Sequence, residues 1–313
     1  ATGNAYPDVV VQEVAKRVDY STIKKMKLVN RSFRTALADP LLWINLCERD
    51  QRTLPSREFR KSLAQHALND ESCIGKLDFE RIWVLDPFRS NLVPPMLPTL
   101  EEMKWEYGWR FSEPPMGKQD LSMIVEEIPV GEHPEISRCI ATSYTWGQRT
   151  LTIDLVDEGV PEWMLDHVRP RIVISELVRP HPDSSATYRM HAILLREGEQ
   201  FHPCGYGPSQ LQLTGINWRN GSSAQWVRVG VTFEDYPMGI RKIAVRSEGM
   251  DTQYQRDRNY GAKYANLQIR VEAPEKFRWL GEDDFTGFEK PGRGASKRSA
   301  DPIEPPWMLR KRI

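Results

Sequence analysis

A chain of 313 residues has room for one domain of sandwich size and a smaller unit beside it, so two folded pieces are the starting expectation. Lys and Arg (43) balance Asp and Glu (43), and a formal charge of zero removes any whole-chain electrostatic case for nucleic acid or an acidic surface. Cys47, Cys73, Cys139 and Cys204 form no C-x-x-C pair and have no His at zinc-ligand offsets, which points to scattered reduced thiols and to no metal or other cofactor. The start, A-T-G-N-A-Y-P, lacks a basic-then-apolar signal pattern, and no apolar run is long enough to span a bilayer. The cytoplasm or nucleus is the expected location, without a membrane; the missing initiator Met points to a trimmed start.

Residues 5–50 read as small helices. Pro7 opens the first, with Val10, Val11, Val14 and Val18 on one face and Gln12, Glu13, Lys16 and Arg17 on the other. Ser21 is a candidate cap for the next, whose stripe is Ile23, Met26 and Val29, with Lys24, Lys25 and Lys27 solvated. Phe33, Ala36 and Leu37 mark a third, and Pro40 excludes Asp39 from helical geometry. Leu41, Leu42, Trp43 and Leu46 form a fourth apolar cluster. About forty residues cannot enclose that many large apolar groups, so some are expected to stay exposed for a partner.

The order Y-P-D-V-V-V-Q-E-V, L-V-N-R-S-F-R, D-P-L-L-W-I-N-L-C resembles the F-box. That resemblance implies docking onto the Skp adaptor, and through it cullin, with Pro7, Val10, Val11, Ile23, Leu28, Val29, Trp43 and Leu46 as contact or core positions. Tyr6, Asn30 and Phe33 depart from the usual choices, Asn30 by placing a polar group where the family packs an apolar one.

Residues 51–87 read as a helical linker, because Phe59, Leu63 and Ala67 repeat every four residues behind a capping Ser56. A stiff connector would hold cargo at a defined offset. From residue 88 to 273 short alternating runs dominate. After W-E-Y-G-W-R-F at 105–111, strands are expected over Thr150–Val156, Arg171–Val178, Tyr188–Leu195, Gln210–Thr214, Val227–Phe233, Arg241–Arg246 and Tyr264–Val271. Between the first two, Pro161 opens one or two helical turns carrying Trp163, Met164, Leu165 and Val168. Many short strands split by Gly, Pro, Asn and Ser clusters predict an antiparallel sandwich.

The segments S-Y-T-W, I-D-L, E-G-V-P-E-W-M-L-D and R-P-R-I-V-I between Cys139 and Glu176 resemble the F-box-associated domain. F-R-S-N-L at 88–92, F-E-D-Y-P-M-G-I-R-K-I-A-V-R-S-E-G-M-D-T-Q-Y and the later G-A-K extend the match. The resemblance implies an α+β multidomain chain: an all-α F-box with a helical linker, then an all-β jelly roll like the galactose-binding domains. In sugar-recognising relatives the glycan sits on loops at one end of the sandwich. Carried over, that site falls on Ile140, Asp183, Tyr254, Gln255 and Arg256, with Ile140 in place of Phe and Gln255 in place of Trp. Losing two stacking platforms, for which Tyr260, Arg258 and Trp218 are the candidate substitutes, argues against high-mannose glycans and for a protein or glycoprotein substrate at the same loops, with Tyr254, Arg256 and Arg258 as contacts.

No H-x-x-x-H, G-x-S-x-G or G-x-x-x-x-G-K-[ST] pattern occurs, and the acidic pairs Glu126–Glu127 and Asp283–Asp284 are adjacent, so in a strand they face opposite ways. The expectation is a non-catalytic substrate receptor of a Skp–cullin–F-box ubiquitin ligase, concentrating substrate near the ligase. The alternatives are a free-standing lectin-like N-glycan-binding module and a sandwich-type carbohydrate-active enzyme. Residues 274–313 are Pro, Gly, Ser and charge rich with excess Lys and Arg, and are expected to be a disordered basic tail.

Overall fold

The computed structural model describes residues 7–69, 77–112, 123–201, 211–219, 222–253 and 259–275. The chain divides into a unit of Ala1–Trp279 and one of Leu280–Ile313, the latter wholly outside the described residues, as is most of the expected tail. Tyr254, Gln255, Arg256, Arg258, Cys73 and Cys204 also lie outside them.

Four short helices come first: α1 (Asp8–Ala15), α2 (Tyr20–Met26), α3 (Arg31–Ala36) and α4 (Pro40–Arg49). Pro7 precedes α1 as its cap residue, and Asp19, not Ser21, caps α2 by accepting from the Thr22 amide at 2.8 Å. Asn30 caps α3, its Oδ1 accepting from Phe33 N at 2.9 Å. Asp39 caps α4 in extended geometry, as Pro40 at the first helical position requires, and also accepts from the Gln12 amide. These caps satisfy amides that would otherwise be orphaned in helices too short to be stable alone.

The predicted stripe of α1 divides. Val11 and Ala15, four residues apart, are buried, whereas Val10 and Val14 lie about 100° round the helix and are exposed. Ile23, Trp43 and Leu46 are likewise buried, and Lys27 is not merely solvated but ion-paired with Glu80. The helices close their core with a borrowed element. After α5 (Arg57–Asn69), capped by Ser56 through Phe59 N at 3.0 Å, α6 (Phe79–Leu85) packs on α4. Trp83 brings its ring within 5.5 Å of Trp43 and 5.7 Å of Tyr20, and its Nε1 donates to Asp50 at 2.8 Å. One continuous cluster of buried side chains then runs from Val11 to Val271.

The segment W-E-Y-G-W-R-F is less extended than expected. Thr99 and Glu102 form a capping box that starts α7 (Leu100–Tyr107), Gly108 ends it at φ 68°, and only β1 (Arg110–Phe111) is strand. The remaining strands are β2 (Met123–Glu127), β3 (Arg138–Thr142), β4 (Gly147–Asp154), β5 (Ile172–Arg179), β6 (Ala186–Arg196), β7 (Leu211–Trp218), β8 (Val227–Phe233), β9 (Ile240–Asp251) and β10 (Lys263–Val271). They form two antiparallel five-stranded sheets, β1-β4-β9-β6-β7 and β2-β3-β10-β5-β8, stacked as a β-sandwich. The helical turn after Pro161 is π-type (Met164–Val168) with Met164 and Leu165 buried. Gly159, at φ 99°, lets the chain pass α6 where a Cβ would stand 2.9 Å from Leu85.

Between the sheets lies an ion pair. Arg149 on β4 and Glu176 on β5 occupy inward positions otherwise filled by Leu151, Ile153, Ile172, Ile174 and Val178, and both are buried. Glu176 accepts from Arg149, from the Tyr188 hydroxyl of β6 and from Ser247 of β9, the last at 2.6 Å. The guanidinium lies 4.8 Å from the Trp109 ring and 4.9 Å from that of Tyr264, and burial lowers its pKa. Removing one member strands the other in a dry interior. Glu176→Gln should therefore lose about 3–5 kcal/mol in urea unfolding, and Arg149→Met with Glu176→Leu should lose less than the single change. A single variant within about 1 kcal/mol of the parent would show that the pair braces nothing.

Candidate functional site

Register places five connections at one end of the sandwich. Thr142 pairs with Met123, Gly147 with Gly249, Ala186 with both Asp251 and Trp218, and Val178 with Val227. The described residues of these connections, Ser112, 143–146, 180–185, 219, 222–226, 252–253 and 259–262, therefore adjoin strand ends on the same rim. Three of them are stapled together. The buried carboxylate of Asp251 accepts from Ser184 Oγ at 2.7 Å and from Gln253 N at 2.8 Å, while its amide donates to Ser143 O at 2.7 Å. Thr252 N donates to Ser185 O, and Gly261 N to Thr142 O, at 2.9 and 2.8 Å. Gly261 is required there, since a Cβ would meet Thr142 Oγ1 at 2.3 Å and the Asp251 amide at 2.8 Å.

On this frame stand half-buried aromatic groups. Tyr144 and Trp146 end the β3–β4 connection, Trp218 ends β7, Trp226 precedes β8 and Tyr260 precedes β10. Tyr260 stacks on His181 with centroids 3.9 Å apart and planes 14° from parallel. Trp146 covers the Arg189 guanidinium at 4.6 Å, and Trp226 covers Arg179 at 4.7 Å while donating from Nε1 to Glu132 at 3.0 Å. Rings with one apolar face and a polar edge, held against cations, are suited to binding partners with mixed surfaces.

Of the expected loop residues, Asp183 is exposed on the rim, its amide donating to His181 Nδ1 at 3.2 Å. Ile140 is not a rim residue. It lies within β3, opposite Val125 and Tyr264, and is fully buried in the core, so it offers no surface to a ligand. Tyr260 and Trp218 do stand at the rim; Tyr144 and Trp146 were legible in S-Y-T-W but were not read as site residues. Among the described residues no group of three or more His, Cys, Asp or Glu could hold a metal ion.

The helical module offers a second surface. Val10, Leu28, Val29 and Leu41 are exposed, Leu28 at 78%, together with Val9 and Val14. Pro7 is exposed as well. Val11, Ile23, Trp43 and Leu46 are not available to a partner, because they build the core beneath. Cys47 is buried there too, and burial first, then the nearby Asp86, push its thiol up to about 12, which leaves it unreactive.

The F-box-associated region family model matches residues 83–271, more than half of the chain. The chain belongs to the F-box-associated family. It is 30% identical to F-box only protein 6 of Homo sapiens over 56% of this chain and 59% of that protein. It is 27% identical to F-box only protein 2 of Bos taurus over 63% and 72%, and 23% identical to F-box only protein 17 of Homo sapiens over 85% and 90%. The chain spans about three-fifths of the length of F-box only protein 6 from Homo sapiens or Rattus norvegicus. Among solved structures, a family 61 carbohydrate-binding module in complex with β-1,4-galactotriose is matched at a TM-score of 0.34 and 8% identity, over 58% of this chain and 99% of that one. The xylan-binding domain of Paenibacillus barcinonensis is matched at 0.30 and 14% identity, over 53% and 86%.

His181 gives the rim a pH signature. Burial first, then the charge of Lys263, lower its pKa from the usual 6.5. The neutral ring is the form stacked on Tyr260. This contribution to stability is complete above the unfolded value of 6.5 and declines as pH falls through the lower folded value, because the unfolded chain takes up its proton first. An NMR titration should find the His181 midpoint below 6.5 in the parent chain and closer to 6.5 in Tyr260→Ala; a parent midpoint at or above 6.5 would contradict the stacked, desolvated ring.

Proposed function

We propose that this chain is a substrate-recognition subunit of a Skp–cullin–F-box ubiquitin ligase, non-catalytic itself. Its helical module docks on the Skp adaptor, and through it on cullin, while the sandwich rim takes the substrate. The observation that carries the reading is the division within the helical module. Half of its apolar positions close a core, and Val10, Leu28, Val29 and Leu41 remain in water at 45%, 78%, 62% and 65% exposure. Single exposed apolar residues are ordinary, but this many on forty residues of short capped helices suit a surface that is covered in an assembly. Membership of the F-box-associated family supports the same reading.

At the rim a protein surface is favoured over a high-mannose glycan. The family's stacking position falls on Ile140, which is buried, and the face of Tyr260 turned to His181 is already occupied. Asp183, Tyr254, Gln255 and Arg256 are the loop residues proposed to meet the substrate, alongside Tyr144 and Trp146. The ligase supplies the chemistry, and this chain raises the local concentration of the substrate.

Charge placed on exposed positions separates docking from folding. Leu28→Glu with Val29→Glu should abolish co-purification with the Skp adaptor and leave the melting temperature within a few degrees of the parent. Trp43→Ala should instead cost roughly 3–5 kcal/mol of stability, being a core truncation. Undiminished adaptor capture by the double variant, or no capture by the parent chain, would overturn the docking assignment.

A further inference from the structure

The turn that joins α2 to α3 has an apolar tip and a collar of one sign. Between Tyr20 and Ala38 the chain carries five Lys or Arg and no Asp or Glu, although the whole chain balances 43 basic residues against 43 acidic ones. Leu28 and Val29 form the tip, and both are exposed. Leu28 N donates to Lys25 O at 3.0 Å and Val29 N to Met26 O at 3.1 Å, so the winding of α2 continues into the turn. Lys24 and Lys25, one turn earlier, therefore share the face of Leu28 and Val29, and Arg31 follows Val29 by two positions. Lys24, Lys25, Arg31 and Arg34 are all exposed, and none forms an ion pair among the described residues.

The acids that line or cap the same elements are already engaged. Glu80 holds Lys27, the fifth cation, and accepts from the Tyr20 hydroxyl at 3.1 Å. Asp78 caps α6 through the Arg81 amide at 3.0 Å. Asp19 caps α2: the Thr22 amide chiefly, and the charge of Lys25 only last, keep its carboxyl below the usual range. Lys24 lies 4.5 Å from the Tyr20 ring, a neutral neighbour. A cavity of about 320 Å³, to which Lys27, Arg34, Pro40 and Trp43 contribute, connects the turn to the start of α4, where Leu41 is exposed.

Folding accounts for three of the four free charges. Lys24, Lys25 and Arg34 lie in the last turns of α2 and α3, where the helix dipole favours cations. Arg31 opens α3, where the dipole disfavours a cation, and no acid sits in that first turn to offset it. A surface that serves solubility mixes both signs, whereas a one-signed collar round an apolar centre steers and seats a complementary partner. Nucleic acid would leave Leu28 and Val29 without an apolar counterpart, and α2 and α3, seven and six residues long, lack the long apolar stripe of a helix lying in a bilayer surface.

We infer that the partner seated on this turn is an acidic protein surface, whose carboxylates ring an apolar seat and meet Lys24, Lys25, Arg31 and Arg34. This rests on the docking reading above and adds the chemistry of the partner. The apolar tip sets how long the complex lasts, and the collar sets how fast it forms.

The test is the association of the full chain with immobilised Skp adaptor from about 50 to about 500 mM NaCl. The association rate should fall about tenfold across that range. Lys24→Gln, Lys25→Gln, Arg31→Gln and Arg34→Gln together should slow association about tenfold at low salt, flatten its salt dependence and change dissociation by less than about twofold. Arg31→Glu alone should slow association about threefold while the melting temperature holds or rises, because an acid suits the first turn of α3; loss of fold cannot mimic that pair of results. Parent-like association by both charge variants, with Leu28→Glu plus Val29→Glu still abolishing binding, would leave the docking assignment standing and remove the acidic partner. No association of the parent chain would remove both. Tighter binding of the parent chain to phosphatidylserine vesicles than to the adaptor would replace the protein surface with an anionic bilayer.

Discussion

The sandwich turns on one buried contact. Glu176 of one sheet accepts from Arg149, Tyr188 and Ser247 of the other, so a single carboxylate ties β5 to β4, β6 and β9. In a dry interior such a group is costly unless every neighbour is in place, which makes it a specifier of how the two sheets align. It lies only a few residues inside the rim: Arg149 follows Trp146, the last residue of the β3–β4 connection, by three positions, and Ser247 precedes Asp251 by four. The loops that carry Tyr144, Trp146 and Asp251 therefore leave strands whose spacing is already set, and the Asp251 staple extends that order into the connections themselves.

The same economy governs the helical module. Four short helices cannot bury Trp43 unaided, and α6 completes the job with Trp83, so one apolar core passes from the helices into the sandwich. The linker is stitched at both ends: Arg81 donates to Val156 O at 2.5 Å, Leu92 N to Ile269 O at 2.9 Å, and Ser56 N to Pro274 O at 3.1 Å. These bonds leave little slack between the helices and the rim, and in the proposed role that rigidity would hold substrate at a fixed offset from the transferring enzyme. Exposed and core residues are interleaved in these helices. Val10 and Val11 are neighbours in sequence, one exposed and one buried.

Much of this was legible in the residues. Period-two alternation found the strands from β4 to β10, because those strands have one dry face and turn residues at their ends. β2 and β3 were missed: M-I-V-E-E and R-C-I-A-T are too short and too uniformly apolar or charged to show a period. T-L-E-E is a readable capping box for α7, a helix that the residue pattern alone was not used to assign. The brace was also written in the alternation, since Arg149 continues the inward series of Leu151 and Ile153, and Glu176 that of Ile172 and Ile174. Two opposite charges at dry positions of separate strands are a pairing signal. Ile140 was misplaced because alignment with a relative's loop residue says nothing about where the strand ends; here β3 runs two residues beyond it. Asn30, a polar residue where the family packs an apolar one, caps α3.

In the proposed role the exposed face of the helices docks while the rim stays free. Amide hydrogen exchange on the full chain, alone and with the Skp adaptor, tests that separation most directly. Protection should rise across Val9–Val14 and at Leu28 and Val29, while the amides of 143–146, 180–185 and 259–262 exchange as before. Protection confined to those rim segments, or unchanged exchange throughout the helices, would contradict it.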